Sequence, residues 1–431
     1  MSSPCYEDRA REVTRFLKVT YVCRMWGGAR HGPAARQLKY SRSPCTPRRV
    51  RGSRGRVRRW EAGEDIHATP TVFKRADGQG FIENPLLPLN RTLDDNPHPD
   101  YEVSTHYILD HGRVVPLTDQ LLEKFHTVYY HSSPSYFALT TRGCPFVCTY
   151  CYQSQLVNTY DDRKLRYRSP EATIDEVKQA IARFPFFKTV GFSDDDFFAR
   201  KYAELEKMME LYKKEINLPF GCSAIPASIT EDKLKLLLEN GLVMIQIGIQ
   251  SGSDRLNREI YHRFLSKTKI LKSLELLEKY RKQHYFRVSC DWIIDNPWEK
   301  EEDVLESINF SMQIPKWVTF NIFTLTYYPG TTLYNKALAD GVISKDDNTF
   351  HQVFNVLSRV RHSYLTHVFL LKHRARRYAP DLLIKLLTSK PARWIGERMP
   401  DAVLNGFWGN WLFPKIAAAC RSDGVTGSGS V

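Results

Sequence analysis

The sequence predicts an α/β fold, a partial (β/α)6 TIM-like barrel with a C-terminal helical extension, on the strength of three observations. Between Ser135 and about Asp340, short apolar β-branched runs alternate with amphipathic helical stretches, as in a parallel sheet with helical crossovers. Each apolar run is followed by polar residues, where barrel-like folds build their sites. Beyond Gly341 the pattern becomes helical and aromatic.

Taken in order, the first strand is expected at 136–140 and its helix at 170–184, announced by Ser169-Pro170 with acidic residues just beyond. A strand at 189–192 and a helix at 201–216 follow, then a strand at 219–223 and a helix at 231–240, started by Thr230-Glu231-Asp232. Next come a strand at 243–249 with a helix at 267–283, and a strand at 288–294 with a helix at 301–312. The last unit is a strand at 318–325 with a helix at 332–338. Six such units make three-quarters of a (β/α)8 barrel.

A chain of 431 residues, 42% apolar and 12% aromatic, has ample material for a core. Residues 1–59 are rich in Arg, Pro, Gly and Ser without periodicity and are expected to be disordered. Residues 60–134 read as a connector of short strands and turns, 135–340 as the barrel, and 341–431 as the helical extension, ending in a flexible tail from Ser422 to Val431. The net charge of +14 sits at the front: residues 1–60 hold 16 Lys and Arg against 3 Asp and Glu, leaving 46 against 45 in the rest. A basic groove through the barrel therefore has no compositional support, and no nucleic-acid partner is expected. No run of about eighteen apolar residues exists to span a membrane, and no apolar signal region opens the chain, so the cytoplasm is the expected compartment. Basic and apolar positions mix at helical spacing over 371–397, which reads as a packed surface helix or as a contact with a membrane surface or an anionic partner.

Nine scattered cysteines without a signal region speak for reduced thiols rather than a disulfide framework. Only Cys144, Cys148 and Cys151 cluster, in a Cys-x3-Cys-x2-Cys loop directly after the first strand. Three thiolates on one short loop can ligate three irons of a cubane and leave the fourth iron open. They could also bind zinc, with His126 or His131 as fourth ligand.

Tyr150 gives the loop an aromatic residue just before its last cysteine. With it, the motif resembles the Cys-x3-Cys-x-aromatic-Cys signature of the radical S-adenosylmethionine (SAM) superfamily. The resemblance implies a [4Fe-4S] cluster on Cys144, Cys148 and Cys151 whose open iron chelates SAM. It covers about residues 90–345 and continues at the other strand ends. After the second strand, Ser193, Asp194 and Asp195 stand where relatives bind the SAM amino group. After the third, Ser223 lies near the carboxylate contact. The fourth ends in Gly248-Ile249-Gln250-Ser251-Gly252-Ser253, resembling a segment beside the ribose and methionine, with Gln250 where many relatives have Glu. The fifth runs into Asp295-Asn296-Pro297-Trp298-Glu299, resembling the loop that borders the adenine. Asp295 and Trp298 replace glycines of that pattern, so a different backbone path is expected. Tyr328-Pro329-Gly330-Thr331-Thr332-Leu333 matches a further turn of the family, with a structural role.

Residues 63–102 resemble the connector that joins an N-terminal cobalamin-binding domain to the barrel in cobalamin-binding radical SAM proteins. About 60 residues are too few for that doubly wound domain, and Asp65-Ile66-His67 is followed by Pro70 where the cobalamin motif has Gly. A truncated or lost cobalamin domain is expected, leaving cobalamin use open. The implied function is an enzyme that cleaves SAM reductively to a 5′-deoxyadenosyl radical and abstracts hydrogen from an organic substrate, with methyl or other group transfer if cobalamin takes part. The implied partners are a small-molecule or lipid-like substrate and an electron donor such as flavodoxin or ferredoxin. Two alternatives stay open: a methylthiotransferase-like enzyme, and a catalytically degenerate cluster- or SAM-binding protein. No catalytic residue is assigned. Tyr152, Cys222, Cys290 and Asp291 are candidates for the barrel mouth.

Overall fold

A computed structural model describes residues 61–64, 72–74, 81–83, 85, 88–99, 101–103, 106–129, 134–344, 364–374, 380–400 and 403. The expected disordered segment 1–59 and the tail from Ser422 lie outside these residues. The described residues form two compact units.

The smaller unit contains an antiparallel strand pair, Val72–Lys74 with Phe81–Glu83. It also contains the helix Thr332–Ala339, capped by the Thr331 hydroxyl, which accepts from the Tyr334 amide at 3.2 Å.

The larger unit carries a six-stranded, all-parallel sheet: β1 (Ser135–Ala138), β2 (Thr189–Phe192), β3 (Phe220–Ala224), β4 (Leu242–Gln250), β5 (Arg287–Ile294) and β6 (Thr319–Thr324). The strands lie side by side in chain order. That is the order right-handed β/α units give when each crossover returns to the next strand. Each of β2–β6 is preceded by a crossover helix, α1 (Pro170–Arg183), α2 (Tyr202–Glu215), α3 (Glu231–Glu239), α4 (Lys267–Arg281) and α5 (Glu301–Gln313), and a further helix, Tyr152–Tyr160, lies ahead of α1. The partial (β/α)6 barrel expected from the sequence is the architecture found.

Local chemistry explains the boundaries. Ser169 caps α1, its hydroxyl accepting from the Ala172 amide at 3.1 Å, with Pro170 at the first helical position. Ser266 caps α4 in the same way. Strand β1 stops short of Thr140 because the Thr140 amide donates to the Asp194 carboxylate, at 2.6 Å, and not to a neighbouring strand.

One face of the sheet packs against the helices, burying an aromatic cluster of Phe192, Phe197, Tyr212 and Phe220. The C-terminal extension adds α6 (Tyr364–Arg374), which packs on α5 and sets Phe369 against Trp292, ring centres 5.2 Å apart. Two short helices follow, α7 (Asp381–Leu387) and α8 (Lys390–Gly396). Residues 91–99 are tied to the barrel by Arg168, which donates to the Asn96 carbonyl at 2.9 Å and is itself held in a buried ion pair with Glu176.

Candidate active site

Among the described residues the other face of the sheet is not filled by helices, and the polar residues of the strands project there. On β4, Ile245, Ile247 and Ile249 are buried in the core, so alternation turns Gln246, Gly248 and Gln250 the opposite way. The same rule puts Asp291 on this face and Cys222 and Cys290 in the core, which places three of the four candidates for the barrel mouth. Tyr152 begins the helix Tyr152–Tyr160 and is half-buried. Asp291 accepts hydrogen bonds from Gln246 at 2.7 Å and Asn321 at 2.9 Å, forming a polar row across β4, β5 and β6. Burial raises its carboxyl above the ordinary range.

The cysteine loop leaves the end of β1 through Gly143, whose φ of +96° belongs to the region that glycine enters without strain. The Cys151 amide donates to the Cys148 carbonyl at 3.0 Å, folding the last three residues into a turn, and Cys151 becomes the N-cap of the helix Tyr152–Tyr160. Thr149 ties the loop to the turn beyond β4: its amide donates to the Tyr261 carbonyl at 3.0 Å and its hydroxyl to the Ile260 carbonyl at 2.5 Å. All three cysteines are free. Burial pushes the Cys144 thiol up to about 12 and the Cys151 thiol up to about 11, so deprotonation here depends on bonding to a metal.

Among the described residues no three His, Cys, Asp or Glu side chains converge closely enough to hold one metal ion. A cubane does not ask its three sulfurs to converge, since each bonds a different iron. His126 stands edge-on to Phe187, ring centres 5.0 Å apart, and His131 lies outside the described residues.

The strongest feature that sequence reading missed is Arg263. Its guanidinium is buried, donates to the Gly248 carbonyl at 2.8 Å and reaches the Cys148 sulfur at 3.8 Å, while its Nε has no hydrogen-bond partner. A buried cation facing cysteine sulfurs favours thiolates and anions in the space before it.

The sequence-predicted site residues divide into two groups. Tyr150 belongs to the loop, packs edge-on against Tyr261 at 5.1 Å, and has its phenol pushed up by burial. Asp195 accepts from Gln153 at 2.6 Å beside the cysteine loop, and burial together with the neighbouring Asp194 raises its carboxyl to about 6. Ser193, Ser223 and Gln250 are exposed or half-buried on the unfilled face. Gln250 has a φ of +70°, a strained conformation for this residue type, and its amide folds over Gly248, where a Cβ would lie 2.6 Å from Gln250 Nε2.

The second group supports the loops. Asp194 is almost fully buried and accepts from the Thr140 amide at 2.6 Å, the Thr140 hydroxyl at 2.5 Å and the Thr141 amide at 2.8 Å. Ser251 is buried, its hydroxyl accepting from the Ser253 amide at 3.0 Å. Asn296 donates to the Tyr261 hydroxyl at 3.0 Å and accepts from the Trp298 amide at 3.0 Å. Asp295 has a φ of +61°, in the left-handed region that glycine enters freely. A short polar side chain makes that affordable.

Residues 139–311 match the radical SAM superfamily. Over 323 residues the chain is 23% identical to an uncharacterized methyltransferase of Pyrococcus horikoshii, covering 73% of this chain and 63% of that protein. It is 21% identical to the cytidylyl-2-hydroxyethylphosphonate methyltransferase of Streptomyces wedmorensis, covering 63% of this chain and 48% of that one. Among solved structures, the cobalamin-dependent S-adenosylmethionine radical enzyme OxsB superposes with a TM-score of 0.52 at 12% identity, over 86% of this chain and 57% of that one. At that identity the likeness speaks for the fold alone.

Proposed function

We propose that this chain, whose residues 139–311 form a radical SAM domain, holds a [4Fe-4S] cluster on Cys144, Cys148 and Cys151 and binds SAM across the unfilled face of its sheet. The observation that carries the reading is the pairing of a three-cysteine loop with the buried cation of Arg263. When bound, the cluster supplies the electron that cleaves SAM to a 5′-deoxyadenosyl radical, which takes hydrogen from an organic substrate.

The residues of the chain have definite tasks in this reading. Arg263 offsets the negative charge of the thiolates and faces the SAM carboxylate, with Ser223 near it. Asp195 and Ser193 receive the SAM amino group, and Gln250 the ribose hydroxyls. Asp194, Ser251 and Asn296 fix the loops that present these groups, which is work done through other residues. Tyr150 and Tyr261 shield the loop from water. Two of the four curated relatives are named methyltransferases, beside a magnesium-protoporphyrin monomethyl ester cyclase and a tRNA methylthio-adenosine synthase, and methyl transfer is the outcome this reading favours. The substrate is a small organic or lipid-like molecule, and the electron donor a flavodoxin- or ferredoxin-type protein.

The test is anaerobic reconstitution followed by SAM and a strong reductant. The account expects 5′-deoxyadenosine to accumulate. An intact cluster that releases none would favour an inert binding protein.

A further inference from the structure

The helices α7 and α8 turn a large apolar surface outward. Leu382 is 78% exposed, Leu386 64% and Trp394 60%, and Ile395 and Met399 are exposed as well. These residues have not simply missed the core, because both helices are anchored by their other faces. Ile384 is fully buried, and α8 approaches α6 so closely at Gly396 that a Cβ there would lie 2.2 Å from the Tyr364 ring. The Tyr364 hydroxyl also donates to the Leu387 carbonyl at 3.0 Å, so one side chain of α6 fastens the ends of both. An apolar surface held outward by its own anchors is an interaction surface.

Charge identifies the occupant. Lys385 and Lys390 are exposed on the same two helices, and the Arg398 guanidinium lies over the Trp394 ring at 4.2 Å. Arg393 is paired with Glu301 and Lys372 with Asp381, and among the described residues of this segment Glu397 is the remaining exposed acid. Residues 371–415 hold nine Lys and Arg against three Asp and Glu, a net of +6, within a stretch from 61 to 431 whose total is only +1. The sequence beyond Val403 adds Phe407, Trp408, Trp411, Phe413 and Lys415, residue types that favour the headgroup layer of a bilayer. No helix among the described residues is long and apolar enough to cross a membrane, and α7 and α8 have seven residues each. The surface therefore suits lying on a bilayer and not spanning it.

We propose that α7 and α8 dock the protein on an anionic lipid surface. Leu382, Leu386, Trp394 and Ile395 enter the headgroup boundary, while Lys385, Lys390 and Arg398 meet lipid phosphates. The inference does not depend on the cluster chemistry.

Co-sedimentation of the full chain with vesicles tests it. Vesicles with about one-third phosphatidylglycerol should retain the protein about tenfold better than pure phosphatidylcholine, and high salt should weaken that preference. The double variant Leu382→Glu/Leu386→Glu and the single variant Trp394→Glu should lose binding, and Lys385→Glu/Lys390→Glu should lose the preference for phosphatidylglycerol. All are exposed positions, so unchanged thermal melting should accompany the loss. Equal retention on both vesicles, or variants that bind like the parent, would overturn the proposal. So would a dimer in light scattering that Leu382→Glu dissociates, because the surface would then serve a second copy of the chain.

Discussion

The Arg263 guanidinium lies 3.8 Å from the Cys148 sulfur and is anchored to the Gly248 carbonyl at 2.8 Å, so β4 and the turn beyond it deliver a fixed positive charge to the cysteine loop. A nearby unit charge at an effective dielectric of about 20 is worth a few kcal/mol. Arg263→Gln should therefore lower the midpoint potential of the cluster by tens of millivolts to about 100 mV, and Arg263→Lys by less. A redox titration followed by electron paramagnetic resonance reads this directly. An unchanged potential in Arg263→Gln would remove the arginine from the electrostatics of the cluster.

Asp194 should act on stability more than on binding. Asp194→Ala leaves the Thr140 and Thr141 amides without their acceptor and removes the negative charge facing the buried Arg200. A loss of about 3 kcal/mol is expected in chemical denaturation. Asp195→Ala, beside the loop, should weaken SAM binding in equilibrium dialysis with little change in stability.

Gly252 is a close-approach position: a Cβ there would lie 2.6 Å from the Ser307 Cα and 2.9 Å from the Phe310 Cβ. Both neighbours belong to α5 and neither is a flexible side-chain tip. Gly252→Ala should cost about 1–3 kcal/mol, read as a lowered melting temperature.

Glu299 gives a pH signature. Burial and the neighbouring Asp303 and Asp295 raise its carboxyl from 4.5 to about 8. Between these values the folded protein keeps a proton that the unfolded chain releases, so this residue lowers stability as pH rises through that window. The Glu299→Gln variant should melt several degrees above the parent at pH about 8.5 and alongside it at about pH 4.5. Parallel melting curves at both pH values would contradict the assignment.

Much of the fold is legible in the sequence because the strands are short apolar runs and some helices carry their own start signal, as Ser169-Pro170 does for α1. Boundaries move where side chains intervene: β1 ends early because Asp194 takes the Thr140 amide. The cysteine loop is legible from spacing alone. The run Asp194-Asp195-Asp196 is not, because its three carboxylates go three ways, to Thr140, to Gln153 and to Ser228. Arg263 escaped notice because it follows an irregular turn at Leu256–Ile260, where no periodicity shows which way a side chain points.

The central claim is that Cys144, Cys148 and Cys151 hold a cluster with one open iron for SAM. Its most direct test is the electron paramagnetic resonance spectrum of the anaerobically reconstituted, reduced protein with and without SAM. The account predicts a reduced [4Fe-4S] signal whose g-values shift on adding SAM, lost when any of the three cysteines is replaced by Ala and kept in Cys222→Ala and Cys290→Ala. A signal indifferent to SAM, or one that survives Cys148→Ala, would contradict it.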